Sequence, residues 1–179
     1  MKNIRYIIFI ILIFSLTNTL GQYKTVEVSG DIVQLVIPAA ALTSTFVYPS
    51  NDKPHWQFIK TFAAANLLTQ SLKYIIDERR PDGGKYSFPS GHTTAAFSAA
   101  AFLQLRYGWK IGIPAYLLAG YVGFSRIYAR KHYYWDVLAG ASIGISSALI
   151  FTKRFNKENI NLTFNRVNRY NLIGIQLSF

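Results

Sequence analysis

Five apolar stretches, at about residues 32–50, 57–77, 93–107, 111–127 and 135–152, follow one another with only short polar segments between them. Runs of this length, rich in Ala, Leu, Ile and Phe and poor in breakers, predict helices, and helices joined by short connections predict a bundle. The fold class expected is therefore all-α. Pro38 and Pro114 fall inside two of the stretches, where they can kink or begin a helix without ending the pattern. Gly, Pro and charged residues concentrate in 77–91 and 125–136, which read as the two elaborate loops of the bundle.

With 179 residues the chain has room for one such bundle and no second domain for a separate cofactor or substrate. Half the residues are hydrophobic, yet the formal net charge is +11, a pairing that suits a protein binding anions beside a membrane. The basic residues are scattered between apolar runs, and no zinc-finger, RRM or basic-helix pattern accompanies them, which argues against nucleic acid as the partner. The chain has no cysteine, so disulfide frameworks, thiolate chemistry and cysteine-ligated metals are excluded.

Lys2 and Arg5 precede the apolar run Tyr6 to Leu16, and a polar stretch then leads to Leu20, Gly21 and Gln22. This three-part form is that of a secretory signal with cleavage at Gly21; if residues 1–21 are retained, they form a first membrane helix, short for a full span. Residues 22–155 then make up the domain and 156–179 a tail. Thr, Ser, Gln and Lys interrupt several apolar stretches, so the bundle fits either a membrane or a small soluble protein. Counting alternate crossings from a cytoplasmic N-terminus puts 77–91 and 125–136 together on the outer side. It puts 51–56, 106–110 and Lys153-Arg154 inside. Along the tail, Ile173, Ile175, Leu177 and Phe179 recur at period two, which predicts a short terminal β-hairpin.

Three clusters in these loops carry chemistry. Lys73 and Arg80, followed by Pro81, are two cations seven residues apart, on one face if the helix extends to Arg80, although Pro81 disfavours helical dihedrals there. An arginine fork and a lysine point charge suit a phosphate. In Phe88-Pro89-Ser90-Gly91-His92, Ser90 can cap the next helix and Gly91 admits close approach of a ligand. The free N–H groups there form an anion site faced by His92. In Ser125-Arg126, His132 and Asp136, the four-residue spacing makes the last two neighbours on a helix, where the carboxylate fixes the ring tautomer and leaves the other nitrogen nucleophilic. Arg126 adds a third cation. Each cluster alone also fits an ordinary role: a snorkelling lysine, a helix cap, a surface His–Asp pair.

In this order, Lys-x6-Arg-Pro, Pro-Ser-Gly-His and Ser-Arg-x5-His-x3-Asp resemble the three-part signature of the type 2 phosphatidic acid phosphatase (PAP2) and vanadium haloperoxidase superfamily. The resemblance covers residues 73–136 and implies a PAP2-like, transmembrane helical bundle. It implies that His132 attacks phosphorus to form a phosphohistidine, that Asp136 orients it, and that His92 is the general acid and base. Lys73, Arg80, Ser90, Gly91 and Arg126 would hold the phosphoryl group, with no metal and no cofactor. The substrate implied is a phospholipid or polyprenyl phosphate or diphosphate, at the periplasmic face of an inner membrane. A soluble exported acid phosphatase shares the same residues, as does a haloperoxidase, against which the small size and apolar helices count.

Overall fold

The computed structural model describes the backbone of residues 2–48, 50–155, 159–167 and 170–178, and the side chains of 23–48 and 50–155. Five helices account for the bundle: α1 (Lys2–Val47), α2 (Pro54–Ile76), α3 (Gly91–Tyr107), α4 (Trp109–Tyr128) and α5 (Tyr134–Phe151). The last four match the apolar stretches of the sequence to within a few residues. In α1 the helix is continuous across Gly21 and runs unbroken through 23–31 into the first apolar stretch. The side chains of residues 2–22 lie outside the described residues. In the tail, β1 (Asn159–Val167) and β2 (Tyr170–Ser178) pair antiparallel, from Asn159 opposite Ser178 to Val167 opposite Tyr170. The alternating residues up to Leu177 fall on β2, and Phe179 lies outside the described residues.

Local chemistry sets the helix ends. Pro54, which lacks the N–H that a first turn leaves unused, begins α2. Asp77 ends it in the left-handed region, with its N–H returned to the Lys73 carbonyl. Gly108 is both the last cap of α3 and the first of α4; its φ of 87° makes the corner between them and suits only glycine.

Helix α3 is the axis of the bundle and packs against all four others. Its inner faces are small: Ala95, Ala96, Ala99, Ala100 and Ala101 are almost fully buried, which lets neighbouring backbones come close. On α5 the same logic is carried by Gly140 and Gly144. A Cβ on Gly140 would sit 2.5 Å from the Ser90 carbonyl oxygen, and one on Gly144 2.7 Å from the Ser98 nitrogen. Thr69 donates to Thr94 across the α2–α3 contact at 3.0 Å. Large apolar side chains point the other way: Leu35, Phe46, Leu67, Leu117, Leu138 and Ile150 are each more than 60 % exposed. Small and polar inside with large and apolar outside is the pattern of a bundle whose solvent is lipid. Residues 23–47 and α5 are long and apolar enough to cross a membrane.

The two elaborate loops lie together at one end of the bundle. At the other end Arg106, fully buried, donates to both carboxylate oxygens of Asp52 at 2.9 and 3.0 Å, to Ser50, and to the Lys153 carbonyl. The connection 51–56, the end of α3 and Lys153 thus share one face, as the alternation of crossings requires.

Candidate active site

At the loop-bearing end α2 delivers Lys73, which is buried and donates to the carbonyls of Tyr86 at 2.7 Å and Ser87 at 3.3 Å. Arg80 is not on that helix. Because α2 stops at Ile76 with Asp77 left-handed, and Pro81 follows, residues 77–87 form a loop instead of two further turns. A tight turn, Gly83 N–H to the Arg80 carbonyl, brings Arg80 back to the cavity wall that Lys73 also lines. The two cations converge, though not through a common helical face.

Ser90 caps α3: its Oγ accepts from the Thr93 hydroxyl at 2.9 Å, and its N–H bonds the Asp136 carbonyl at 2.9 Å. It is fully buried and does not line the cavity, whereas Gly91 and His92 do. Arg126, near the end of α4, is held on three sides. Nε donates to Ser125 Oγ at 3.1 Å, Nη1 to Asp31 at 2.6 Å and Nη2 to the Glu27 carbonyl at 2.6 Å. A guanidinium has five N–H groups, and these bonds use three of them among the described residues.

His132 precedes α5 and does not share a helix with Asp136. Arg130 is left-handed, and the His132 and Lys131 N–H groups both turn back to the Arg126 carbonyl, so the new helix begins only at Tyr134. The pair forms because Asp136 reaches back from the first turn: its Oδ2 accepts from the Tyr133 N–H at 3.0 Å, from His132 Nδ1 at 3.2 Å and from Ser87 Oγ. Its Oδ1 is buried with no partner among the described residues. Burial pushes the His132 pKa below its ordinary 6.5, against the opposing pull of Asp136, so the ring is neutral near pH 7. With Nδ1–H given to Asp136, the lone pair lies on Nε2.

Lys73, Arg80, Gly91, His92 and His132 line a cavity of about 380 Å³ that the amides of Gln34, Asn66 and Gln70 also line. A second lobe of about 220 Å³ shares Arg80, His92 and His132 and adds Glu27, Asp31, Arg126 and Lys131. At its rim Lys131 bridges Glu27 at 3.3 Å and Asp82 at 3.2 Å. These contacts raise the Lys131 pKa, through Asp82 first, and the Gly84 N–H and then Lys131 lower that of Asp82.

Every residue the sequence singled out except Ser90 thus lines one lobe or the other or, in the case of Asp136, backs the wall. Asp31, the Glu27 carbonyl, Ser87 and Ser125 enter the site without having been selected from the sequence as ligands. Glu27 and Asp31 are four apart and so share a helix face, the one pattern that could have drawn attention to them.

Fold and site together define a membrane-type helical bundle built around a cavity lined by Lys73, Arg80 and two histidines. The PAP2 superfamily model matches residues 10–160, and the chain belongs to that superfamily. It is 34% identical over 125 residues to a lipid A 1-phosphatase of Porphyromonas gingivalis, covering 64% of this chain and 28% of that protein. Among solved structures it resembles that of Aquifex aeolicus LpxE, with a TM-score of 0.61, 25% identity, and coverage of 73% of this chain and 92% of that one. It also resembles a transmembrane PAP2 type phosphatidylglycerolphosphate phosphatase from Bacillus subtilis, with a TM-score of 0.56, 26% identity and 72% of each chain covered. The match spans between 28% and 56% of the length of the first curated relatives.

Proposed function

We propose that this chain is a metal-independent phosphatase that removes phosphate from a lipid phosphate or diphosphate through a phosphohistidine on His132. The observation that carries the reading is a buried His132, its Nδ1 bound to Asp136, on a cavity lined by Lys73 and Arg80 in a bundle with an apolar exterior. His132 Nε2 attacks phosphorus, the bond to the lipid oxygen breaks, and His92 gives that oxygen its proton. Water then attacks the phosphohistidine, His92 takes the proton, and the P–N bond breaks to restore the imidazole. Lys73, Arg80, Arg126 and the α3 N-terminus at Gly91 spread the charge of the transferring group, with Ser90 holding that N-terminus in place.

Lipid is favoured over a soluble ester by the outward-facing apolar side chains, and the relatives described as lipid A and phosphatidylglycerolphosphate phosphatases support the same choice. The amides of Gln34, Asn66 and Gln70 supply hydrogen-bonding partners for a polar headgroup. Export is part of the proposal. A helix of 46 residues is about 69 Å long, more than twice the hydrocarbon core, so residues 23–47 suffice for the crossing and 1–21 are left to act as the signal. The site then faces the periplasm.

The test is inorganic phosphate release by the membrane fraction from phosphatidic acid, phosphatidylglycerol phosphate, a polyprenyl diphosphate and lipid A, beside a soluble phosphate monoester. Activity is expected to persist in EDTA, to be blocked by vanadate and to vanish in His132→Ala. Turnover that survives in His132→Ala sinks the mechanism, and release of the protein by a carbonate wash sinks the membrane assignment.

A further inference from the structure

In the mechanism above His132 has a carboxylate to orient it, whereas His92, the acid and base, has none within the signature. The structure supplies one from outside it. Asp31 Oδ1, on α1, lies 3.0 Å from His92 Nε2 and 2.6 Å from Arg126 Nη1. The two contacts join residues 61 and 95 positions apart in sequence, from three different helices.

The placement of Asp31 is set by packing. Its neighbour Gly30 meets α4 where a Cβ would lie 2.0 Å from Ser125 Oγ and 2.7 Å from Arg126 Nη2. Only glycine lets α1 lie this close to the signature residues. One turn earlier, the Glu27 carbonyl holds Arg126 Nη2. The α1 backbone and the Asp31 carboxylate therefore grip the guanidinium together, and the same carboxylate oxygen reaches the imidazole.

We propose that Asp31 is a positioning residue for the reaction, orienting His92 and Arg126 at once and favouring the imidazolium form that His92 needs as an acid. The proposal rests on the phosphatase reading for its kinetic consequences but not for the contact itself. Asp31 accepts a hydrogen bond from the Nε2–H, which leaves Nδ1 to exchange a proton with the leaving oxygen and then with water. The groups around His92 are otherwise mostly cationic: Lys73 from α2, Arg80 from the following loop, Arg126 from α4, and Lys131 beside His132. Glu27 is engaged by Lys131, so Asp31 is the carboxylate that balances this field at the ring.

The chain has three histidines, His55, His92 and His132, so ¹⁵N-histidine NMR of the full chain in detergent can follow each ring, with single substitutions for assignment. In Asp31→Asn the His92 titration is expected to move to lower pH, while that of the distant His55 stays in place. Phosphate release is expected to lose about 10- to 100-fold in kcat with little change in KM, and its alkaline limb to move to lower pH. Asp31→Glu, which keeps the charge, should recover part of the loss. A His92 titration unmoved in Asp31→Asn overturns the proposal. So does a lower KM with kcat retained, which would make Asp31 a plug in the anion site. If the wild-type protein turns over no phosphate ester, the phosphatase reading fails, and the NMR titration still decides whether Asp31 governs His92.

Discussion

Replacing Gly140 with alanine probes how tightly the α3–α5 contact holds the site. Gly140 lies one turn beyond Asp136 on α5, against the Ser90 carbonyl at the start of α3. The added Cβ would sit 2.5 Å from that oxygen, 3.1 Å from Thr94 Oγ1 and 3.3 Å from Thr93 Cβ. Real Cβ contacts essentially never fall below 3.0 Å, so the helices must part by about half an ångström or more. The displaced neighbour is backbone, which cannot swing aside as a side-chain tip would. Overpacking of this kind costs about 1–3 kcal/mol, which leaves the bundle folded but less stable. The separation also stretches the 2.9 Å bond from Ser90 N–H to the Asp136 carbonyl and moves Asp136 and His132 relative to His92. Misplacement by about 1 Å can cost 10²-fold in rate, so kcat is expected to fall about 10- to 100-fold. The assay is phosphate release in proteoliposomes, with thermal unfolding in detergent alongside. Gly120→Ala is the matched control: nothing lies within 4 Å of its Cβ, so kcat should be unchanged. Wild-type kcat in Gly140→Ala, or an equal loss in Gly120→Ala, would refute the argument that this close approach sets the catalytic geometry.

Because burial lowers the His132 pKa, the acid limb of kcat/KM should lie below pH 6.5. The sign for stability is the same: the unfolded chain takes up a proton that the buried ring resists, so the stability present above pH 6.5 is lost as pH falls through the lowered value. Asp136→Asn should cut kcat about 10³- to 10⁴-fold and move the acid limb lower still, since the carboxylate favours the charged ring; an upward move in the pH–rate profile would contradict this. Ser87→Ala removes one of the three bonds to Asp136 Oδ2 and should lower kcat about tenfold with KM unchanged, measured by phosphate release. At the opposite end, Asp52→Ala leaves the buried Arg106 guanidinium without its main counter-charge. The cost should be roughly 2–3 kcal/mol, less than for a fully dry pair because Asp52 is 31% exposed, with kcat unaffected; unfolding and turnover measured together check both halves.

Much of the bundle was legible because its signals are local. The apolar lengths of α2 to α5 and Ser90 as a cap act within one or two turns of chain, and the structure follows them. The same locality misled at two points. Lys73 and Arg80, and then His132 and Asp136, have helical spacings, yet α2 ends before Asp77 within the first pair and α5 begins only at Tyr134 within the second. Each pair converges through a loop.

Taken alone, the amino-acid order determined the helical segments, the membership in a superfamily and the positions of the two histidines and three cations, since these are written in contiguous motifs. The tertiary structure decided who holds them. Asp31 at His92 and Arg126, Ser87 at Asp136, Asp52 at Arg106, and the glycines that let α1 and α5 come close are contacts between helices far apart in the chain. No periodicity or cap encodes them, because a side chain's partner across a bundle depends on crossing angle and distance, which only packing sets.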